Sequence, residues 1–194
     1  NALFYVAKDE TYGTELWKAD LTTGEINLVA DINPGIESST PSRLTAVGNT
    51  LYFTAYDTRD PQQYAYRQLW ETDGTPTGTK RLTDFKLDVD PSTYDYTYIG
   101  NLTAAGNTLF FIANVNGDFE LWKTDGKPEN TAHIADLVTG DGYFDSDYLD
   151  LASAGNALFY VAKDETYGTE LWKANNNHEP MLLDLEPFSG WNEN

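Results

Sequence analysis

Residues 1–19, NALFYVAKDETYGTELWKA, recur without a change at 156–174. An unchanged copy of this length restricts the fold to one assembled from repeated units, because both copies must find the same local structure. Two weaker copies lie between, opening at Asn49 (NTLYFTAY) and Asn107 (NTLFFIAN). The chain therefore reads as a single repeat domain spanning 1–194, with tandem units 1–43, 44–101, 102–150 and 151–194.

Each unit follows one order. A short segment ends in Gly (Leu44–Gly48, Leu102–Gly106, Leu151–Gly155), and Asn then opens an apolar run such as Leu109-Phe110-Phe111-Ile112-Ala113. A Leu-Trp segment follows, then a last segment that closes on Asp31, Asp84, Asp136 or Asp184. These four segments are predicted to be strands, called A to D. They are short, rich in β-branched and aromatic residues, and bounded by Gly, Asn, Asp and Thr. Gly48-Asn49, Gly106-Asn107 and Gly155-Asn156 suit tight A–B hairpins, and Asp73-Gly74 and Asp125-Gly126 suit C–D turns. Strand B is apolar on both faces, Leu3, Tyr5 and Ala7 against Phe4 and Val6, as expected of a strand covered on both sides. Four of the five Trp residues, Trp17, Trp70, Trp122 and Trp172, share one repeat position, where they are expected to fill the space between stacked sheets.

Glu15-Leu16-Trp17, Glu120-Leu121-Trp122 and Glu170-Leu171-Trp172, with Asp20, Asp73 and Asp125 three positions after Trp, resemble the ELWxxDGT (hyalin-like) repeat. The second unit, Leu69-Trp70-Glu71-Thr72-Asp73-Gly74-Thr75, is the fullest match and departs at Gln68. The third has Lys127 for Thr, the first Asp20-Leu21-Thr22, and the fourth Asn175-Asn176-Asn177. The resemblance covers essentially the whole chain. It implies a secreted or cell-surface bacterial protein and β-propeller blades, and it implies no catalytic residues. The expected fold is all-β: a β-propeller-like array of four antiparallel four-stranded blades. The first blade is incomplete because the chain opens at strand B. Asn1, not Met, opens the chain and no signal-peptide pattern is present, so it reads as a mature fragment or a piece of something longer.

Composition excludes whole classes of function. With 31 acidic against 12 basic residues the net charge is -19, which repels phosphate backbones and anionic membrane surfaces. No stretch approaches the apolar length of a membrane helix. The absence of Cys removes disulfides, thiolate metal sites and thiol nucleophiles. The two His residues, His133 and His178, fall at non-equivalent repeat positions outside any metal-ligand spacing, and no nucleophile or phosphate-binding motif is present. The chain reads as a non-enzyme.

Candidate binding residues lie in the B–C and D–A loops, which share one end of an up-and-down blade. Tyr64, Tyr66, Tyr94, Tyr96 and Tyr98 offer apolar faces with polar tips for a carbohydrate or protein ligand. Tyr96 and Tyr98 equally suit the start of the next strand. Asp141, Asp145, Asp147 and Asp150 supply the oxygens a calcium ion requires, although their order matches no known calcium loop. No other cofactor is expected. The leading expectation is a structural or assembly module, pairing with copies of itself or with further repeats of a longer chain through open blade edges. The alternative is a ligand-binding propeller, lectin-like or calcium-dependent, using the Tyr and Asp loops.

Overall fold

A computed structural model describes residues 1–57, 67–85, 98–115, 118–137, 150–164, 166–175 and 178–183. Among them the chain is all-β, with fifteen strands in four antiparallel sheets and a single 3-10 turn at Pro128–Asn130. No helix among the described residues is long and apolar enough to cross a membrane.

The first sheet holds β1 (Ala2–Asp9), β2 (Gly13–Asp20) and β3 (Ile26–Ala30). The second holds β4 (Ser42–Val47), β5 (Thr50–Tyr56), β6 (Arg67–Thr72) and β7 (Lys80–Arg81). The third holds β8 (Tyr98–Ala105), β9 (Thr108–Val115), β10 (Asp118–Thr124) and β11 (Ala132–Asp136). The fourth holds β12 (Leu151–Ala154), β13 (Ala157–Asp164), β14 (Gly168–Asn175) and β15 (His178–Leu183). Strands are neighbours in chain order within every sheet, so each sheet is up-and-down, with three strands in the first and four in each of the others. Strand A opens earlier than the predicted unit boundary in the second and third sheets, at Ser42 and Tyr98. There a bulge lets Arg43 and Asn101 take positive φ, 57° and 51°.

The A–B hairpins turn in two residues, as in Val47↔Thr50. Only the glycine takes positive φ, 60° at Gly48 and 61° at Gly106 and Gly155, so Asn is not the left-handed residue. Gly first with positive φ is the type II′ pattern, whose twist matches that of the flanking strands.

The sheets stack face to face in chain order, because alternate residues of each strand face opposite ways. Leu51, Phe53, Ala55 and Trp70 of the second sheet pack on Leu16 and Val29 of the first. Leu109, Phe111 and Ala113 of the third pack on Tyr52 and Leu69 of the second. Leu158, Tyr160, Ala162 and Ala174 of the fourth pack on Phe110, Ile112 and Leu121 of the third. Thus in every covered sheet the Leu-aromatic-Ala face of strand B meets the preceding sheet, and the intervening positions meet the following one. No core cluster among the described residues joins the fourth sheet to the first.

Candidate functional site

The Glu or Gln of the Glu-Leu-Trp motif holds the chain that runs from strand D to the next strand A. Glu15 is fully buried. Its Oε1 accepts from the Ser39 N–H at 2.7 Å and its Oε2 accepts from the Ser39 hydroxyl. Desolvation pushes its pKa above the usual carboxylate range, against the opposing hydrogen bonds from Ser39. Gln68 does the same work with a neutral amide. Its Oε1 accepts from Thr83 Oγ1 at 2.7 Å and from the Phe85 N–H at 3.0 Å, and its Nε2 donates to the Phe85 carbonyl at 2.8 Å. Both side chains hydrogen-bond the chain that they hold in place.

Glu120, the third copy, differs. Its Oε2 accepts from Trp122 Nε1 at 2.8 Å. Its carboxylate lies close to His133 Nε2 and Asp136, which are 2.9 Å apart, so one ligand atom from each residue falls within 4.8 Å of the others. Such a nitrogen–oxygen set matches the ligands of a divalent transition metal. The second sheet argues for an ordinary structural role, since Arg81 and Asp84 hold the same positions and form an ion pair at 3.1 Å. The sequence signal for this group was cross-strand: Glu120 pairs with Asp136 and Trp122 with His133, on either side of a bulge that no residue type announces.

Of the candidate tyrosines, Tyr98 opens β8 and is half-buried. Its hydroxyl donates to Asn101 Oδ1 at 2.6 Å, its ring meets Phe119 edge-on at 5.9 Å, and the Arg43 guanidinium lies 5.1 Å from its centroid. These contacts engage both its polar tip and its ring within the fold. Tyr64, Tyr66, Tyr94 and Tyr96 lie outside the described residues, as do Asp141, Asp145 and Asp147. Asp150 is exposed, just before β12. Trp70 is buried between the first and second sheets, Trp122 packs between the second and third, and Trp172 between the third and fourth. Trp17 faces away from the stack and meets Tyr12 edge-on at 6.4 Å.

A groove of about 530 Å³ lies at the A–B and C–D end of the third sheet, lined by Asn107, Thr108, Lys123, Thr124, Asp125, Glu129, Asn130 and Ala132. It is opposite to the end where the longer loops were expected to bind. Part of its polar lining is engaged in the turn itself: Asn130 donates to Asp125 Oδ2 at 2.8 Å, and the Thr124 hydroxyl shares a bond of 2.8 Å with that of Thr131.

The most extensive unsatisfied feature is therefore apolar. Leu3, Val6, Leu21, Ile26, Ile36, Tyr167 and Met181 are the exposed large hydrophobics among the described residues, and all belong to the first or fourth unit. The repeated stretch supplies an internal control. Leu3 is 54% exposed where its copy Leu158 is fully buried. Conversely, Leu16 is 1% exposed under the second sheet, and its copy Leu171 is only half-buried.

No family model matches the chain, and no curated protein matches it. Among solved structures it is similar to the GH74 xyloglucanase from Xanthomonas campestris, with a TM-score of 0.51 and 15% identity, over 90% of this chain and 25% of that one. A variant of the AtxE2 isopeptidase with Astexin3-dC4 bound gives a TM-score of 0.47 at 15% identity, over 90% and 25% of the two chains. A family 117 glycoside hydrolase produced by the marine bacterium Zobellia galactanivorans gives 0.35 at 14% identity, over 90% and 56%. The chain thus spans a quarter of the xyloglucanase it matches, and at that identity the likeness is one of β-sheet fold alone.

Proposed function

We propose that this chain is a non-catalytic building module of a secreted or cell-surface bacterial protein. Its sheets are arranged as propeller-like blades, and its role is to extend or assemble a rigid β-structure. The observation that carries this reading is the unequal cover of identical residues. Leu3 is exposed where its copy Leu158 is buried against the third sheet, and Leu16 is buried under the second sheet where its copy Leu171 is half-buried, so the stretch 1–19 and its copy at 156–174 are covered on opposite sides. An apolar sheet face bare at each end of a stack is the form of a module that continues. The resemblance to the ELWxxDGT repeat supports the secreted or surface setting. The acidic surface keeps such a module soluble until its ends are covered.

Light scattering across a range of concentrations tests the assembly role. A mass that rises with concentration above that of one chain is expected. One chain's mass at every concentration overturns self-assembly and leaves further repeats of a longer chain to cover the ends.

A further inference from the structure

We infer that the bare face of the first sheet docks on the bare face of the fourth sheet of a second copy, head to tail. This rests on the building-module reading and specifies its contact.

Each half of that contact already exists inside the molecule. The bare face of the first sheet carries Leu3, Tyr5, Ala7 and Trp17, with Leu28 and Ile26 opposite on β3. The first four are, residue for residue, Leu158, Tyr160, Ala162 and Trp172, which pack on the third sheet over Phe110, Ile112 and Leu121. The outer face of the fourth sheet offers nearly the same surface: Phe159, Val161 and Leu171, each half-buried, beside the exposed Met181. Only Ile112 is changed, to Val161.

The converse holds as well. Phe159, Leu171 and Lys173 are copies of Phe4, Leu16 and Lys18, on the side of the first sheet that receives the second, and Val161 copies Val6, which stays 38% exposed on that side. What that side receives is Leu51, Phe53, Ala55 and Trp70. The bare face of the first sheet matches it but for Tyr5 in place of Phe53. Both faces therefore have a demonstrated partner type, and each is the partner type of the other.

Two different faces meeting in this way make a heterologous contact, which closes into a ring or continues as a filament. A like-with-like pairing of either bare face has no counterpart in the stack. One position departs from the match. Gly74 lets the C–D turn of the second sheet close on Lys18 and Phe4, where a Cβ would come within 2.9 Å of Lys18 Nζ. In the first sheet Leu21 stands there, 64% exposed, so the docked turn displaces the end of Lys173 and covers Phe159 with leucine instead.

Complementation tests the direction of the contact. One variant, Leu3→Glu with Ile26→Glu, blocks the first sheet; a second, Met181→Glu with Lys173→Glu, blocks the fourth. Leu3, Ile26 and Met181 are all more than half exposed in the single chain, so these charges leave the fold intact, as circular dichroism verifies. Each variant alone is expected to have the mass of one chain. An equimolar mixture is expected to reach two chains and stop, because each variant keeps the face the other lacks. A blocked variant that still associates alone, or a mixture that stays at one chain, overturns head-to-tail docking while leaving an associating wild type as a building module. A wild type that never associates overturns head-to-tail docking and self-assembly alike, and leaves the ends of the module to further repeats of a longer chain. The chain has no cysteine, so Leu3→Cys and Met181→Cys provide a second readout. Oxidation of the two variants together is expected to enrich the mixed disulfide, and a preference for like pairs overturns the proposal.

Discussion

Glu15 and Gln68 occupy one repeat position with and without a charge. Buried carboxylates are costly unless hydrogen-bonded, and Ser39 supplies two donors to Glu15. Since Gln68 holds the equivalent crossing in the second sheet, Glu15→Gln is expected to be neutral or stabilising at pH 7. Glu15→Leu strands the Ser39 N–H and is expected to cost about 1–3 kcal/mol in denaturant titrations. The two proteins also differ in pH response. Because burial raises the folded pKa of Glu15, the folded state binds the proton more tightly. The associated stability is fully present below the unfolded pKa of about 4.5 and is lost as pH rises through the folded value. Glu15→Gln is expected to remove that decline, read as a flatter dependence of melting temperature on pH above about 4.5. An unchanged slope excludes Glu15 as its source. The role of this residue was illegible in the sequence. Its partners are Ser39 in one unit and Thr83 and Phe85 in another, at different separations and with no shared residue type.

The turns, by contrast, were legible because their chemistry is local. Asp73 accepts from the Thr75 hydroxyl at 2.6 Å and its N–H at 2.9 Å, and these bonds lower its pKa. The Thr72 and Thr79 hydroxyls close the base of the loop at 2.8 Å. The third sheet keeps this plan with Lys127 for Thr75, because only the backbone N–H is required: it reaches Asp125 Oδ1 at 3.1 Å. What local chemistry did not announce is that the Gly of this turn packs on the preceding sheet. A Cβ on Gly126 would fall 2.3 Å from Glu71 Oε2 and 2.9 Å from the Tyr52 hydroxyl, at a φ of +92°. Gly155, in an A–B turn at +61°, has nothing within 4 Å. Gly155→Ala is expected to cost about 1 kcal/mol, from backbone strain alone. Gly126→Ala is expected to cost clearly more, about 2–4 kcal/mol, by adding a clash between sheets. Equal losses in chemical denaturation count against this contact between sheets.

At the scale of the whole molecule, strand order and sheet membership followed from the repeat, but cover did not. Strand B reads as covered on both sides in every unit, and β9 fulfils this, with Leu109 to Ala113 fully buried. β1 and β13 have the same residues and one bare face each, because cover depends on a sheet's place in the stack and not on its sequence. Identical residues should then carry different energies. Leu158→Ala is expected to cost about 2–5 kcal/mol, whereas Leu3→Ala stays within about 0.5 kcal/mol in dilute solution. The order reverses on the other face, where Leu16→Ala is the more costly and Leu171→Ala the milder change. Equal effects within either pair exclude this stacking order.

The same unequal cover sets how copies should respond to salt. Each carries a net charge of -19, so long-range repulsion opposes any contact between them. The Debye length falls from about 30 Å at 0.01 M salt to about 8 Å at 0.15 M, which removes most of that repulsion beyond contact range. The apolar face centred on Leu3 and Ile26 loses nothing to screening. Association is therefore expected to be weak in low salt and to strengthen as sodium chloride is raised toward 0.5 M, read as solution mass at fixed protein concentration. Sulfate should act more strongly still, because it raises the cost of exposed apolar surface. A mass that falls with added salt would assign the contact to ion pairs such as those Lys173 can form, and would remove the apolar faces from the account.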